Sequence, residues 1–378
     1  MKKLFILFFT SIIILLFTSS VVFAAGVAGD FNADGKVDGV DYVLWLIGLG
    51  KTTTQSDYAA WSAAYNGKPV MAPNGFYVKG NTIYDANGNP KIFRGVVRPS
   101  YEWSTTGDHI SLSDFQLMKG WGANVIRLPV NQLSWRQNTS NYKSEIAQAV
   151  SWIKETGMAV IIDLHWSDQG TNANAAQQKM ADTNSLLFWK DIADLYKGDG
   201  QVMFELYNEP HDVSCDVWQN GGSVDGWTVA GMQQMYNTIR GEGANNIVMV
   251  GGLGWAFDLT CVKTNRIGGF NIVYATHPYN FVGKNTVADW DSKVGFLAAT
   301  DPVIMTEFGS TLTDEAPGSE CDGTFDQSVL TWAEANKISW TAWAWYPGGC
   351  GFPPIIKDWS GTPDANGRVV QTYLKNND

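Results

Sequence analysis

Two glutamates carry the chemistry that reads most directly from this sequence. Glu209 stands in Asn208-Glu209-Pro210-His211 and Glu307 in Glu307-Phe308-Gly309, each just after a short apolar run, Val202–Leu206 and Pro302–Thr306. Paired carboxylates suit chemistry at an acetal carbon, where one donates a proton and the other attacks, at a spacing of ~5–5.5 Å when configuration is retained. Glutamate suits both posts, because its extra methylene reaches into a cleft. Other polar residues close other apolar runs: Arg127, then His165-Trp166, then His277-Pro278-Tyr279, with Trp343 and Trp345 in the last run. Arg98, Glu102 and Trp103 follow the first run and Trp255 the fifth, all candidates to line the same cleft.

Such residues need a scaffold that gathers chain ends onto one rim. From about residue 76, β-branched runs recur at Phe93–Val97, Asn124–Pro129, Ala159–Leu164, Val202–Leu206, Ile247–Gly251, Ile272–Thr276, Pro302–Thr306 and Ile338–Trp345. Helical patterns lie between them, as at Lys143–Thr156, Leu186–Tyr196, Val229–Arg240 and Gln327–Asn336. Eight strands alternating with helices over ~300 residues predict an α/β fold, the (β/α)₈ TIM barrel, whose chemistry sits at the C-terminal strand ends. An open doubly wound sheet would call for a glycine-rich phosphate turn after an early strand, and Phe93-Arg94-Gly95-Val96 offers none. The fourth and seventh strands then place Glu209 and Glu307 across one mouth.

The segments Asn124-Val-Ile-Arg127-Leu-Pro, Asp163-Leu-His165-Trp, Asn208-Glu209-Pro210, His277-Pro-Tyr279, Glu307-Phe-Gly309 and Ser339-Trp-Thr-Ala-Trp343, in this order, make residues 76–378 resemble a glycoside hydrolase of family 5. The resemblance implies that Glu209 is the acid/base and Glu307 the nucleophile. It implies supporting roles for Arg127, His165, Asn208, His277, Tyr279 and a tryptophan of the eighth strand, Trp343 or its neighbour Trp345. Trp166 and Trp255 are further candidates to stack on sugar rings. Arg127 and Tyr279 near Glu307 favour its ionised form, and burial beside Glu307 is expected to raise Glu209 above the usual ~4.3. Asn208 is placed to hold a sugar 2-hydroxyl. The implied activity is endo-hydrolysis of a β-1,4-linked polysaccharide without a cofactor, first glucan, with mannan or another β-glucan as the alternative. A non-catalytic carbohydrate-binding or scaffold-attached protein is the reading of another class, and it leaves both glutamates and their six companions unexplained.

The rest of the chain bounds the setting. Met1-Lys2-Lys3, an apolar stretch and Val22-Phe23-Ala24 read as a signal peptide over residues 1–24, so the mature chain is expected to be secreted and free of membrane. Losing Lys2 and Lys3 takes the formal charge from −11 to −13, which disfavours nucleic acid as a partner. A polysaccharide substrate and a monomer are the expectation. Residues 30–41 follow the calcium-loop pattern, with Asp30, Asn32, Asp34, Lys36 through its carbonyl, Asp38 and Asp41 as ligands and Gly35 at the sharp turn. Asp41 replaces the usual bidentate glutamate. Residues 25–65 resemble one half of a dockerin, since Asp41-Tyr42-Val-Leu-Trp45 recurs as Asp57-Tyr58-Ala-Ala-Trp61 without a second loop. A small calcium-stabilised helical pair is expected rather than a complete cohesin-binding module, with residues 66–75 as linker. Cys215, Cys261, Cys321 and Cys350 allow three pairings, and joining sequence neighbours favours Cys215–Cys261 with Cys321–Cys350.

Overall fold

The structure, a computed structural model, describes residues 71–168, 176–311 and 321–376, and before them residues 29–31, 37, 41, 44, 45 and 48. The signal-peptide residues 1–24, the loop positions Asn32, Asp34, Lys36 and Asp38, and the repeat at 57–61 lie outside the described residues. The chain divides into two compact units, Met1–Gly67 and Lys68–Asp378. In the first, the Phe31 backbone N–H donates to Asp41 Oδ1 at 2.7 Å, and Asp41 and Trp45 are buried.

The second unit is built on eight parallel strands: β1 Arg94–Val97, β2 Val125–Asn131, β3 Ala159–Trp166, β4 Val202–Glu205, β5 Val248–Gly251, β6 Ile272–Thr276, β7 Val303–Met305 and β8 Ser339–Ala342. They pair in sequence order, and β8 pairs with β1, so the sheet closes into a barrel. Closure removes the open sheet as a rival. Strands covered on both faces carry near-continuous apolar runs, and every residue of β2 is buried. At β1, Gly95 is required by close approach, because a Cβ there would fall on the Val125 carbonyl of β2.

Helices cover the outside because their apolar positions recur every three or four residues. Tyr142–Glu155 buries Tyr142, Ile146, Ala149, Val150 and Ile153 on one stripe. Local side chains fix where helices begin. Asp182 accepts the N–H groups of Asn184 and Ser185 to start Thr183–Tyr196, and Asp364 accepts that of Gly367 to start Ala365–Lys375. The bottom of the barrel is filled by Phe93, Val125, Ile161, Met203, Met249, Val273 and Ile304. Phe76 packs edge-on against Phe93 at 4.8 Å, at the start of a three-stranded antiparallel sheet spanning residues 77–91. With the base filled by side chains, the polar residues are left for the opposite rim. Two disulfides, Cys215–Cys261 and Cys321–Cys350, tie loops in the expected pairing.

Candidate active site

Arg127 is the hub of the mouth. It sits in the middle of β2, not at its end, and is fully buried. Its Nε donates to Glu205 Oε2 at 2.5 Å, Nη1 to Glu307 Oε1 at 2.6 Å and Nη2 to Asn208 Oδ1 at 2.7 Å, and Nη2 also pairs with Asp163 Oδ2 at 2.9 Å. Burial works against its charge, but Asp163, Glu205 and Glu307 outweigh that and hold Arg127 well above its ordinary value. Asp163 and Glu205 are register partners on β3 and β4. Burial pushes Asp163 well up against the pull of Arg127, with the Glu205 charge adding to the rise. Burial opposes the Glu205 charge as well, yet Arg127 and His277 bring that carboxyl down to about 2.

Glu307 therefore has both oxygens engaged. Arg127 holds Oε1, and the Tyr279 hydroxyl donates to Oε2 at 2.7 Å. Burial and the Glu307 charge raise Tyr279 well above the usual phenol value, so it remains a donor. The third neighbour is His277. Its Nδ1 lies 3.1 Å from Glu209 Oε1 and 3.7 Å from Glu307 Oε2, and its Nε2 lies 2.9 Å from Thr306 Oγ1. Thr306 spends its own proton on Glu205 Oε1 at 2.6 Å, so it must accept from His277 Nε2–H. Burial disfavours a charged His277, but the Glu307 charge, the nearby Glu205 carboxylate and the bond to Glu209 prevail and raise it to about 9.

Glu209 corrects one expectation. Burial does push its pKa up, but the His277 hydrogen bond and charge, with smaller help from His165 and Lys284, leave it below the ordinary carboxyl value. The two shifts together favour the proton on His277 Nδ1 over Glu209. Asn208, beside it, is locked: Oδ1 accepts from Arg127, and Nδ2 donates to Gln177 Oε1 at 3.0 Å. His165 sets Nδ1 2.6 Å from Asp163 Oδ2, and burial keeps it below its ordinary value.

The structure separates the tryptophans. Trp343 lies parallel to the His165 ring at 5.8 Å and faces the site. Trp345 does not, which corrects its candidacy: it is fully buried, donates from Nε1 to Asp114 Oδ1 at 2.8 Å and packs edge-on against Trp121. β8 ends at Ala342, so strand alternation no longer governs where these two rings point. Trp166 is half-buried, 6.3 Å from His165. Trp255 is 45% exposed and stacks on His211 at 4.7 Å. Arg98 is packing rather than cleft: it is buried against Asp114 at 2.5 Å. Glu102 is buried, and Trp103 is exposed against Tyr346 and Phe352.

The model of the protein family "Cellulase (glycosyl hydrolase family 5)" matches residues 84–349, a span holding all eight strands and both glutamates. The chain belongs to glycosyl hydrolase family 5. Among its curated relatives is an endoglucanase of Clostridium saccharobutylicum, 28% identical over 71% of this chain and 56% of that protein. Another is a mannan endo-1,4-β-mannosidase of Salipaludibacillus agaradhaerens, 23% identical over 78% and 91% respectively. The chain thus spans little more than half the length of the first. A solved β-glucanase from Saccharophagus degradans, in complex with cellotetraose, superposes with a TM-score of 0.68 at 26% identity over 82% of this chain and 97% of that one. Within this family 5 barrel, the residues that sequence reasoning passed over are Glu205, Thr306, Gln177 and His211. Glu205 had a signal: a charged residue inside the apolar run Val202–Leu206 requires a buried partner.

Proposed function

We propose that this chain is an exported, retaining endo-β-1,4-glycosidase acting on β-1,4-glucan, with Glu307 as nucleophile and Glu209 as acid/base. One observation carries the reading. One carboxyl oxygen of Glu209, one ring nitrogen of His277 and one carboxyl oxygen of Glu307 all lie within 4.8 Å of one another. So close an approach of the two carboxyls suits double displacement, at ~5–5.5 Å, better than the ~6.5–9.5 Å that seats a water between them.

The steps follow from the hydrogen bonds. Substrate entering the cleft displaces water and brings the glycosidic oxygen to Glu209. His277 passes the Nδ1 proton to Glu209 Oε1 and keeps Nε2–H on Thr306. Glu307 attacks the anomeric carbon, the glycosidic C–O bond breaks, and Glu209 gives its proton to the departing oxygen. Asn208, held rigid by Arg127 and Gln177, is placed for the 2-hydroxyl, a contact that tightens in the transition state. Glu209 then takes a proton from water, which attacks the glycosyl ester and frees Glu307. These steps use only side chains of the chain and one water.

Two disulfides support an oxidising, extracellular setting. Mannan is the second reading, favoured by the mannosidase among the relatives. We also assign Ca²⁺ to residues 30–41, where the Phe31–Asp41 bond draws the two loop ends together. There the ion would stabilise the N-terminal unit through Asp30 and Asp41 and would take no part in the reaction. Reducing-end release from soluble cellulose and from mannan, by wild type and Glu307→Gln, tests the function. Rapid release from cellulose by wild type and none by the variant is the expected result. Equal release by both overturns the mechanism, and a preference for mannan overturns the substrate.

A further inference from the structure

A second recess lies beside the Glu209 backbone. It is a cavity of about 230 Å³ whose lining includes Gln177, Lys179, His211, Asp225 and Trp227. Two of these residues also belong to the mouth. Gln177 Nε2 donates to the Glu209 carbonyl at 2.9 Å, and His211 Nδ1 lies 2.9 Å from the same oxygen. The His211 ring is the base on which Trp255 stacks, nearly parallel. The recess is therefore tied to the backbone that carries the acid.

Its far side is a hairpin, Gly222–Val224 with Trp227–Val229, turned by Asp225 and Gly226, both at positive φ. The hairpin is braced. Lys179 pairs with Asp225 at 2.8 Å, the Ala230 N–H donates to the Ala181 carbonyl at 2.9 Å, and Val229 bridges to Asp182. Yet the brace presents a tryptophan to solvent: Trp227 is 41% exposed, and its indole makes no ring contact or hydrogen bond among the described residues. An exposed indole on a braced hairpin, beside amide and charged groups, is the composition that holds a pyranose, apolar face on the ring and hydroxyls on the polar rim.

The leaving group must touch the acid, so the flank of Glu209 carrying His211 and Trp255 is the leaving-group side. We infer that Trp227, with Gln177, Lys179 and Asp225, forms an outer leaving-group subsite for a β-linked hexosyl unit of the polysaccharide, reached across the His211–Trp255 stack. This inference rests on the glycosidase reading above and extends its cleft.

The test compares substrates that do and do not reach the recess. Cellohexaose extends beyond the first leaving-group position, and an aryl cellobioside places only its aryl group there. Trp227→Ala is expected to lower kcat/KM on cellohexaose relative to the aryl cellobioside by about tenfold. Trp227→Phe should restore most of that ratio. Cutting in ¹⁸O-water should show fewer events with three sugars on the reducing side. In the Glu307→Gln background, Trp227→Ala should weaken cellohexaose binding by a similar factor and cellotriose binding less. An unchanged ratio, or a Phe variant no better than Ala, overturns the subsite. Loss of aryl cellobioside hydrolysis in Glu307→Gln tests the underlying reading separately, so the two failures are distinguishable.

Discussion

His277 Nδ1 lies 3.1 Å from Glu209 Oε1, while Thr306 accepts the proton on the opposite ring nitrogen. With Nε2–H fixed by Thr306, a single mobile proton is left between imidazole and carboxyl. The titration of that pair sets the upper limit of activity. The proton leaves as pH rises through the His277 value of about 9, so kcat/KM should be sustained through neutrality and fall above that point. His277→Asn removes the reservoir. The Glu209 proton must then leave at that carboxyl's own lower value, so the alkaline limb should move toward neutral pH, with kcat/KM at pH 8 down about 100-fold. A pH profile of kcat/KM for both proteins decides it. A limb that stays put in the variant would remove His277 from proton supply.

Glu205 is placed to act on that limb without touching substrate. It accepts from Thr306 Oγ1 and from Arg127 Nε, and its carboxylate, 3.8 Å from His277 Nε2, is among the influences that raise His277. Glu205→Gln should keep the side-chain shape but cancel the charge and lose one of the two acceptors, lowering the His277 value. We expect the alkaline limb to shift the same way as in His277→Asn but less far. Activity at pH 9 relative to pH 6 should drop about tenfold. A uniform loss at all pH values would instead mark Glu205 as a mere support for Arg127.

Much of this arrangement was legible in the sequence. The eight strands showed themselves because strands buried on both faces must be apolar runs, and Glu209 and Glu307 because each follows one. Glu205 and Thr306 stayed hidden inside such runs, where only the β3–β4 register pairing of Asp163 with Glu205 shows that the position faces a cation. The sign of the Glu209 shift was out of reach for a related reason. Burial and a neighbouring carboxylate both argue upward, and the opposing influence depends on which ring nitrogen of His277 faces the acid. That is fixed by Thr306, from a different strand. The choice between Trp343 and Trp345 needed the point where β8 ends.

Glu209→Ala separates protonation from attack. Aryl glycosides with acidic phenols leave without a proton, whereas sugar leaving groups need one. The variant should lose about 1,000-fold in kcat on cello-oligosaccharides and less than about tenfold in the first step with a dinitrophenyl cellobioside. Added azide should then speed turnover by taking the place of the activated water. Burst kinetics and product analysis would show this directly. Equal losses on both substrates would take the acid role away from Glu209.

Outside the mouth, Asp326 makes stability depend on pH. It lies fully buried in the first turn of Thr324–Ala335, and neither carboxyl oxygen has a hydrogen-bond partner of good geometry among the described residues. Burial pushes it up to about 8, its own and Ser310's backbone groups tempering the rise and Asp364 and Asp322 adding to it. The folded chain thus holds a proton that the unfolded chain gives up above 3.8. Unfolding is therefore favoured increasingly as pH climbs from about 4 to about 8, and the effect levels off above the folded value. Asp326→Asn removes the titration. It should match wild type near pH 4 and exceed it by about 1–3 kcal/mol at pH 8. Urea unfolding of both proteins at the two pH values measures the difference, and a gap that does not widen with pH would show that Asp326 is ionised and satisfied in the folded state.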